Sequence, residues 1–229
     1  MYAALARAYG ELDRDPELRA GVLFAHGEVF TAGLDLAQWA PVFAGGSWSL
    51  PDGAVDPLGV SGPPCKKPVV CAVQGLCLTI GIELLLATDV RIAAEDARFG
   101  QIEINRGIYP VGGATIRMPR ECGWGNAMRW LLTGEHFGAA EAHRMGMVQE
   151  VAARGQAKER AVEIALVIAS RAPLGVQATL SSSRAALASD ERAAAGKLLL
   201  DLAPILASED AAEGLRSFLE RREAKFTGR

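Results

Sequence analysis

Four short apolar runs constrain this chain more than any other feature: GVLFAH (21–26), KPVVCAVQG (67–75), DVRIAAE (89–95) and VQEVAA (148–153). Their length and their β-forming residues mark them as buried strands. Stretches with helical spacing lie among them, at about 80–87, 113–121, 125–132 and 139–145. Strands interleaved with helices call for an α/β fold with parallel pairing. An amphipathic helix over 2–14 precedes the first strand, with Ala4, Leu5, Ala8, Tyr9 and Leu12 close to one face. From residue 156 the pattern changes to helix after helix, the third of them starting near Asp190. The chain therefore divides into an α/β core over 1–155 and an all-helical region over 156–229 whose apolar faces need burial.

Composition excludes several function classes. Half of the 229 residues are hydrophobic, enough for a sizeable core, and the net charge is −3. No basic field attracts nucleic acid and no Lys/Arg stripe marks a membrane surface. No apolar run reaches transmembrane length. The segment MYAALARAYGELDRD carries acids and a helical period instead of a signal-peptide pattern, so the expected location is the cytoplasm. Cys65, Cys71, Cys77 and Cys122 make no C-x-x-C pair, and His26, His136 and His143 make no H-E-x-x-H. No metal site is expected, and the cysteines read as buried thiols.

Two places carry chemistry. In HGEVFTAGLDL (26–36), Ala32-Gly33 makes a tight turn between a strand and a helix that Asp35 caps and Pro41 limits. The N–H of Leu34 follows that turn. In CLTIGIELLLATDV (77–90), a helix begins near Thr79 or Ile80. Its first N–H groups lack internal partners and stand at the positive end of the helix dipole, which suits a developing oxyanion. Leu34 N–H and Ile80 N–H are thus a candidate donor pair. Glu83 lies in the first turn of that helix among apolar neighbours, where an acid is either paired or working. Glu103, in FGQIEINRG, poses the same question. Its neighbours Ile102 and Ile104 read as a strand with Glu103 on the solvent face, and Arg106 is its candidate partner. Residues 44–64 form a long Gly/Pro-rich loop, functional or mobile, with Trp48 and Leu50 as apolar anchors.

Several segments, in order, resemble the enoyl-CoA hydratase/isomerase (crotonase) superfamily: FTAGLDL, then KPVVCAVQGLCLTIGIELLLATDVRIAAEDARFGQIEINRGIYPVGGATIRM, then LLTGEHFGAAEAHRMGMVQEV, and a tail ending FLERREAKFTG. The resemblance implies a spiral of β-β-α units with a C-terminal helical trimerisation region. It also implies a homo-oligomer, trimer or dimer of trimers, and an acyl-CoA thioester substrate. By motif position, Leu34 and Ile80 supply the oxyanion hole, and Glu83 and Glu103 flank the substrate alkene. Coenzyme A is then part of the substrate, and no further cofactor is implied. Ala32, Asp35, Leu36, Ile102 and Val111 fall at positions around the acyl thioester, with Asp35 mainly a cap. Phe218 and Arg221 resemble residues that reach a neighbouring subunit's CoA.

Where the family commonly has glycine, proline and glycine, this chain has Ile80, Ile102 and Val111. An altered acyl pocket is expected, with the Ile80 side chain turned away from the thioester. The family's first strands, with their Arg-Pro and Asn-Ala segment, have no counterpart before residue 2, so an uncovered sheet edge is expected. The implied reaction is hydration of a trans-2-enoyl-CoA to a 3-hydroxyacyl-CoA. The alternatives are double-bond isomerisation, a related thioester hydrolase or decarboxylase, and a non-catalytic acyl-CoA-binding protein. A doubly wound nucleotide-binding domain would need a G-x-G-x-x-G turn, which GLCLTIG does not supply.

Overall fold

The computed structural model describes residues 1–45, 49–188, 193 and 195–229. The Trp48 anchor and the start of the helix expected near Asp190 lie outside them. The elements in chain order are α1 (Tyr2–Arg14), β1 (Gly21–Leu23), α2 (Leu36–Ala44), β2 (Val69–Val73), β3 (Leu76–Leu78), α3 (Ile80–Leu86), β4 (Val90–Ala94) and β5 (Arg98–Gly100). A 3-10 turn (Glu103–Arg106), α4 (Ala114–Cys122), α5 (Trp124–Thr133), β6 (His136–Gly138), α6 (Ala139–Arg144) and β7 (Glu150–Ala152) follow. The helices α7 (Ala157–Ala169), α8 (Pro173–Ala188), α9 (Leu198–Leu206) and α10 (Glu209–Glu220) end the chain.

The four apolar runs pair as one parallel sheet in the order β1-β2-β4-β7. Strand β2 reads VVCAV without alternation because both its faces are covered. On one face Val70, Ala72, Ile92 and Ala94 meet α7 through Ala157, Ala161 and Ala165. These alanines recur every fourth residue, so the helix lies close on the sheet. On the other face Cys71, Val73 and Ala93 join Ile82, Leu85, Phe99, Met118 and Met147 in the main core.

A second sheet escaped the sequence reading. Strands β3 and β5 pair in parallel, and β5 pairs with β6 antiparallel. Phe99 of β5 stacks on Phe137 of β6 at 5.4 Å between centroids, and Trp130 closes on Phe137 at 4.8 Å. The chain passes from β2 in one sheet to β3 in the other at Gly75, whose φ is +53°. A Cβ there would run into the Glu28 carbonyl oxygen, so the turn requires glycine. The unit β2-β3-α3 then repeats as β4-β5-(3-10)-α4: one strand in each sheet, then a helical return.

Helix α3 has only seven residues, all buried. A helix this short is not stable by itself. Surrounding apolar contacts hold it, and complete burial of Ile82 alone contributes roughly 1.5–3 kcal/mol. Pro41 lies inside α2 and does not end it. Helices α8 and α9 bury no residue in the single chain, and Leu198, Leu199, Leu200 and Leu206 are exposed. Among the described residues no single helix is long and apolar enough to cross a membrane.

Candidate active site

The turn after β1 meets the start of α3. Its Phe30 and Thr31 N–H groups donate to Gln74 and Leu76 carbonyls at 3.0 Å, and Thr31 bridges Cys77, so the turn lies along β3. Gly33, at φ +111°, donates its N–H to Thr31 Oγ1 at 3.1 Å. A Cβ on Gly33 would stand 2.6 Å from Thr79 Oγ1. Leu34 and Ile80 follow the two residues of this close approach, and their side chains pack in one cluster. Among the described residues neither the Leu34 nor the Ile80 N–H donates a hydrogen bond. Asp35 caps α2 as expected, its Oδ1 accepting from Ala37 N–H at 3.0 Å. Leu36 opens that helix. Ala32 is exposed.

Thr79 carries the strain of this junction. It has φ +50° and ψ −113°, a region that costs about 1–3 kcal/mol for a residue other than glycine. The Ile80 side chain, 7% exposed, is turned inward against Leu58 and Leu84, with Leu34 packed on the same cluster.

Glu83 is 3% exposed, one turn into α3. Its Oε1 accepts from Gly112 N–H at 2.7 Å and from Ala114 N–H at 3.2 Å. These donors belong to the start of α4, so the carboxylate stands at the positive end of that helix as well as in the first turn of its own. Burial raises its pKa; the Ala114 and Gly112 N–H groups and the charge of Arg117 draw it back.

Glu103 opens the 3-10 turn, not a strand, and Gly107 ends that turn in the left-handed region at φ +73°. Its partner is Gln101, whose Nε2 donates to Oε1 at 3.1 Å; among the described residues Arg106 makes no ion pair with it. The other oxygen, Oε2, is buried without a partner. Burial pushes the Glu103 pKa up to about 7, its own N–H opposes the shift, and the charge of Glu83 adds to it. The two glutamates, twenty positions apart in sequence, therefore act on each other. Ile102 precedes the turn half-buried, while Ile104, Ile108, Tyr109 and Val111 are exposed beside it and form an apolar rim.

Phe218 is 79% exposed and Arg221 is exposed at the end of α10. Among the described residues no hydrogen bond or ion pair joins either to the glutamates. Sequence reasoning missed four participants: Gly112 and Ala114 as donors, Arg117, and Asp56. Asp56 is 3% exposed and accepts from Tyr2 Oη and from the N–H groups of Leu58, Val60 and Ser61. It fixes the 56–61 stretch of the long loop. The Gly112-Gly113 pair before a helix was the available signal for the donors.

Fold and site together define a crotonase-type α/β protein. The structure matches that of a probable enoyl-CoA hydratase/isomerase from Mycobacterium abscessus with a TM-score of 0.98 and 51% identity, covering 100% of this chain and 88% of that one. It matches enoyl-CoA hydratase EchA1 from Mycobacterium marinum at 0.88 and 36%, with the same coverage. In sequence the chain is 36% identical over 234 residues to enoyl-CoA hydratase EchA19 of Mycobacterium tuberculosis, covering 100% of this chain and 87% of the relative. It is 32% identical to carnitinyl-CoA dehydratase of Salmonella typhimurium, covering 99% and 88%. The model of the enoyl-CoA hydratase/isomerase family matches residues 1–229, and the chain belongs to that family.

Proposed function

We propose that the protein is an enoyl-CoA hydratase that adds water across a trans-2-enoyl-CoA to give a 3-hydroxyacyl-CoA. The observation that carries this reading is the pair of unlike carboxyls. Glu83 is buried and anchored by two N–H groups, and Glu103 has an unpartnered buried oxygen and a pKa pushed up to about 7. Two coupled carboxyls held in different environments are what an acid–base pair needs.

In this mechanism the thioester oxygen accepts from Leu34 and Ile80 N–H. Electron withdrawal toward that oxygen makes the β-carbon electrophilic. Glu83, ionised, orients a water and takes its proton as the oxygen attacks the β-carbon. Glu103, protonated, delivers its proton to the α-carbon. The inward packing of Ile80 leaves its amide, not its side chain, for the thioester. Each oxyanion donor contributes about 2.7–4 kcal/mol at the transition state. Coenzyme A enters as part of the substrate, and the steps require no metal or further cofactor. Val111 and the apolar rim around it take the acyl chain. The exposed leucines of α9 and the region 156–229 fit a homo-oligomer interface, with Phe218 and Arg221 serving a neighbouring subunit's CoA.

Crotonyl-CoA hydration by wild type, Glu83→Gln and Glu103→Gln tests the assignment. Each variant should lose about 10²–10⁴-fold in kcat. Equal rates in all three proteins would end the catalytic reading. Product analysis separates a 3-hydroxyacyl-CoA from the shifted alkene of an isomerase.

A further inference from the structure

Arg117 lies one turn into α4, half-buried. Its Nη1 donates to the Gly112 carbonyl at 3.3 Å and its Nη2 to the Gly59 carbonyl at 3.3 Å. Gly112 is the residue whose N–H holds Glu83 at 2.7 Å. Gly59 belongs to the loop that Asp56 organises, its N–H donating to the Asp56 carbonyl at 3.0 Å. One planar fork therefore ties the catalytic carboxylate's donor to a fixed loop. The neighbouring Gly113, at φ +110°, makes room for this, because a Cβ there would collide with Nη1.

The charge of this guanidinium is not spent in a contact ion pair. Among the described residues no carboxylate lies within 4 Å of it. Its electrostatic neighbours are Arg120 and Glu121 on its own helix, Asp56 from the loop and Glu83 from α3. The charge of Glu83 acts in turn on Glu103 of the 3-10 turn, raising its pKa. Arg117 is thus the cation that acts on Glu83.

We propose that Arg117 is the positioning residue of Glu83: its guanidinium fixes the Gly112 peptide that holds the carboxylate and supplies the positive field in which that carboxylate stands. The proposal rests on the hydratase reading, with Glu83 as the base. In that reading Arg117 acts through Glu83 and not on the substrate.

The test is the pH dependence of kcat/KM for crotonyl-CoA in wild type, Arg117→Gln and Arg117→Lys, with thermal stability measured alongside. A positive charge favours ionised Glu83, so its removal raises the pKa of the base. The acid limb, which belongs to the coupled glutamates, should move up by about one unit in Arg117→Gln. Its kcat at neutral pH should fall about tenfold, with KM within about threefold, because the defect lies in the base and not in binding. Arg117→Lys restores the charge without the fork, so it should return the limb to within about 0.3 units while kcat stays reduced. An unmoved limb in folded Arg117→Gln overturns the proposal. If Arg117→Gln does not fold, Arg117→Lys decides: wild-type kcat overturns it, and reduced kcat with an unmoved limb supports it. Glu83→Gln distinguishes the two levels of failure. If that variant turns over normally, the hydratase reading fails; if it is inactive while the Arg117 variants match wild type, only this inference fails.

Discussion

Gly112→Ala displaces Glu83, the proposed base, without touching its chemistry. Gly112 is absent from the residues with positive φ, so alanine accepts its backbone conformation. The added Cβ would stand 2.5 Å from Glu83 Oε2, 2.8 Å from its Cδ and 3.1 Å from Leu58 Cδ1. Ordinary contact begins at 3.4 Å, so the carboxylate must retreat by about 0.9 Å. It cannot do so freely, because Gly112 and Ala114 hold Oε1 from the same side and the residue is buried. A misplacement of about 1 Å at a reacting group lowers the rate about 10²-fold. Overpacking costs about 1–3 kcal/mol, and the stiffer unfolded chain returns about 0.4–1 kcal/mol. The net loss of roughly 1 kcal/mol lowers Tm by about 2–4 °C in a chain of this size. The assay is the loss of enoyl-thioester absorbance with crotonyl-CoA, read for kcat and KM beside a thermal melt. KM should hold within about threefold, since the contact is confined to the base. A folded Gly112→Ala enzyme with wild-type kcat would refute the claim that Glu83 works from the position its two N–H donors define.

Two further outcomes follow from single residues. Folding raises the Glu103 pKa to about 7, so the native state binds the extra proton and loses stability as pH rises from the ordinary carboxylate range through 7; Glu103→Gln should melt higher than wild type at pH 8 and match it near pH 4, and the reverse order would refute the shift. Thr79→Gly removes a strain of about 1–3 kcal/mol at φ +50° against an added chain entropy of about 0.4–1 kcal/mol, so Tm should rise by a few degrees, and a lower Tm would show the threonine to be unstrained.

Much of this arrangement was legible because its signals are local. The helical period over 2–14 matches α1 residue for residue, and the runs at 67–75 and 89–95 contain β2 and β4. The second sheet was not legible. Its strands Leu76–Leu78, Arg98–Gly100 and His136–Gly138 have three residues each, too few to show a period of two. Their pairing is set by where the main sheet delivers them. Glu103 misled for a related reason. Isoleucines on both sides mimic alternation, yet the 3-10 turn packs the two differently, Ile102 half-buried and Ile104 exposed. The loop at 44–64 looked functional or mobile from its glycines and prolines. One acid within it, Asp56, takes three N–H groups and fixes the stretch from 56 to 61.

The placement of Glu83 answers to two helix starts at once, and that explains how a buried acid is tolerated and why glutamine is its informative replacement. Desolvating an isolated carboxylate is costly enough that a lone acid inside α3 would protonate or unfold the site. The α4 start offers Gly112 and Ala114 N–H groups that otherwise lack partners, and Arg117 adds positive charge behind them. Each side satisfies the other: the helix end gains an acceptor, and the acid gains donors. A truncation to alanine would break both and leave two buried N–H groups unpaired, so its inactivity would say nothing about proton transfer. In Glu83→Gln the amide oxygen can take the place of Oε1 and accept from both, while the NH₂ replaces the oxygen that would receive the proton from water. Loss of hydration in a variant with native stability therefore isolates the base from the scaffold that holds it.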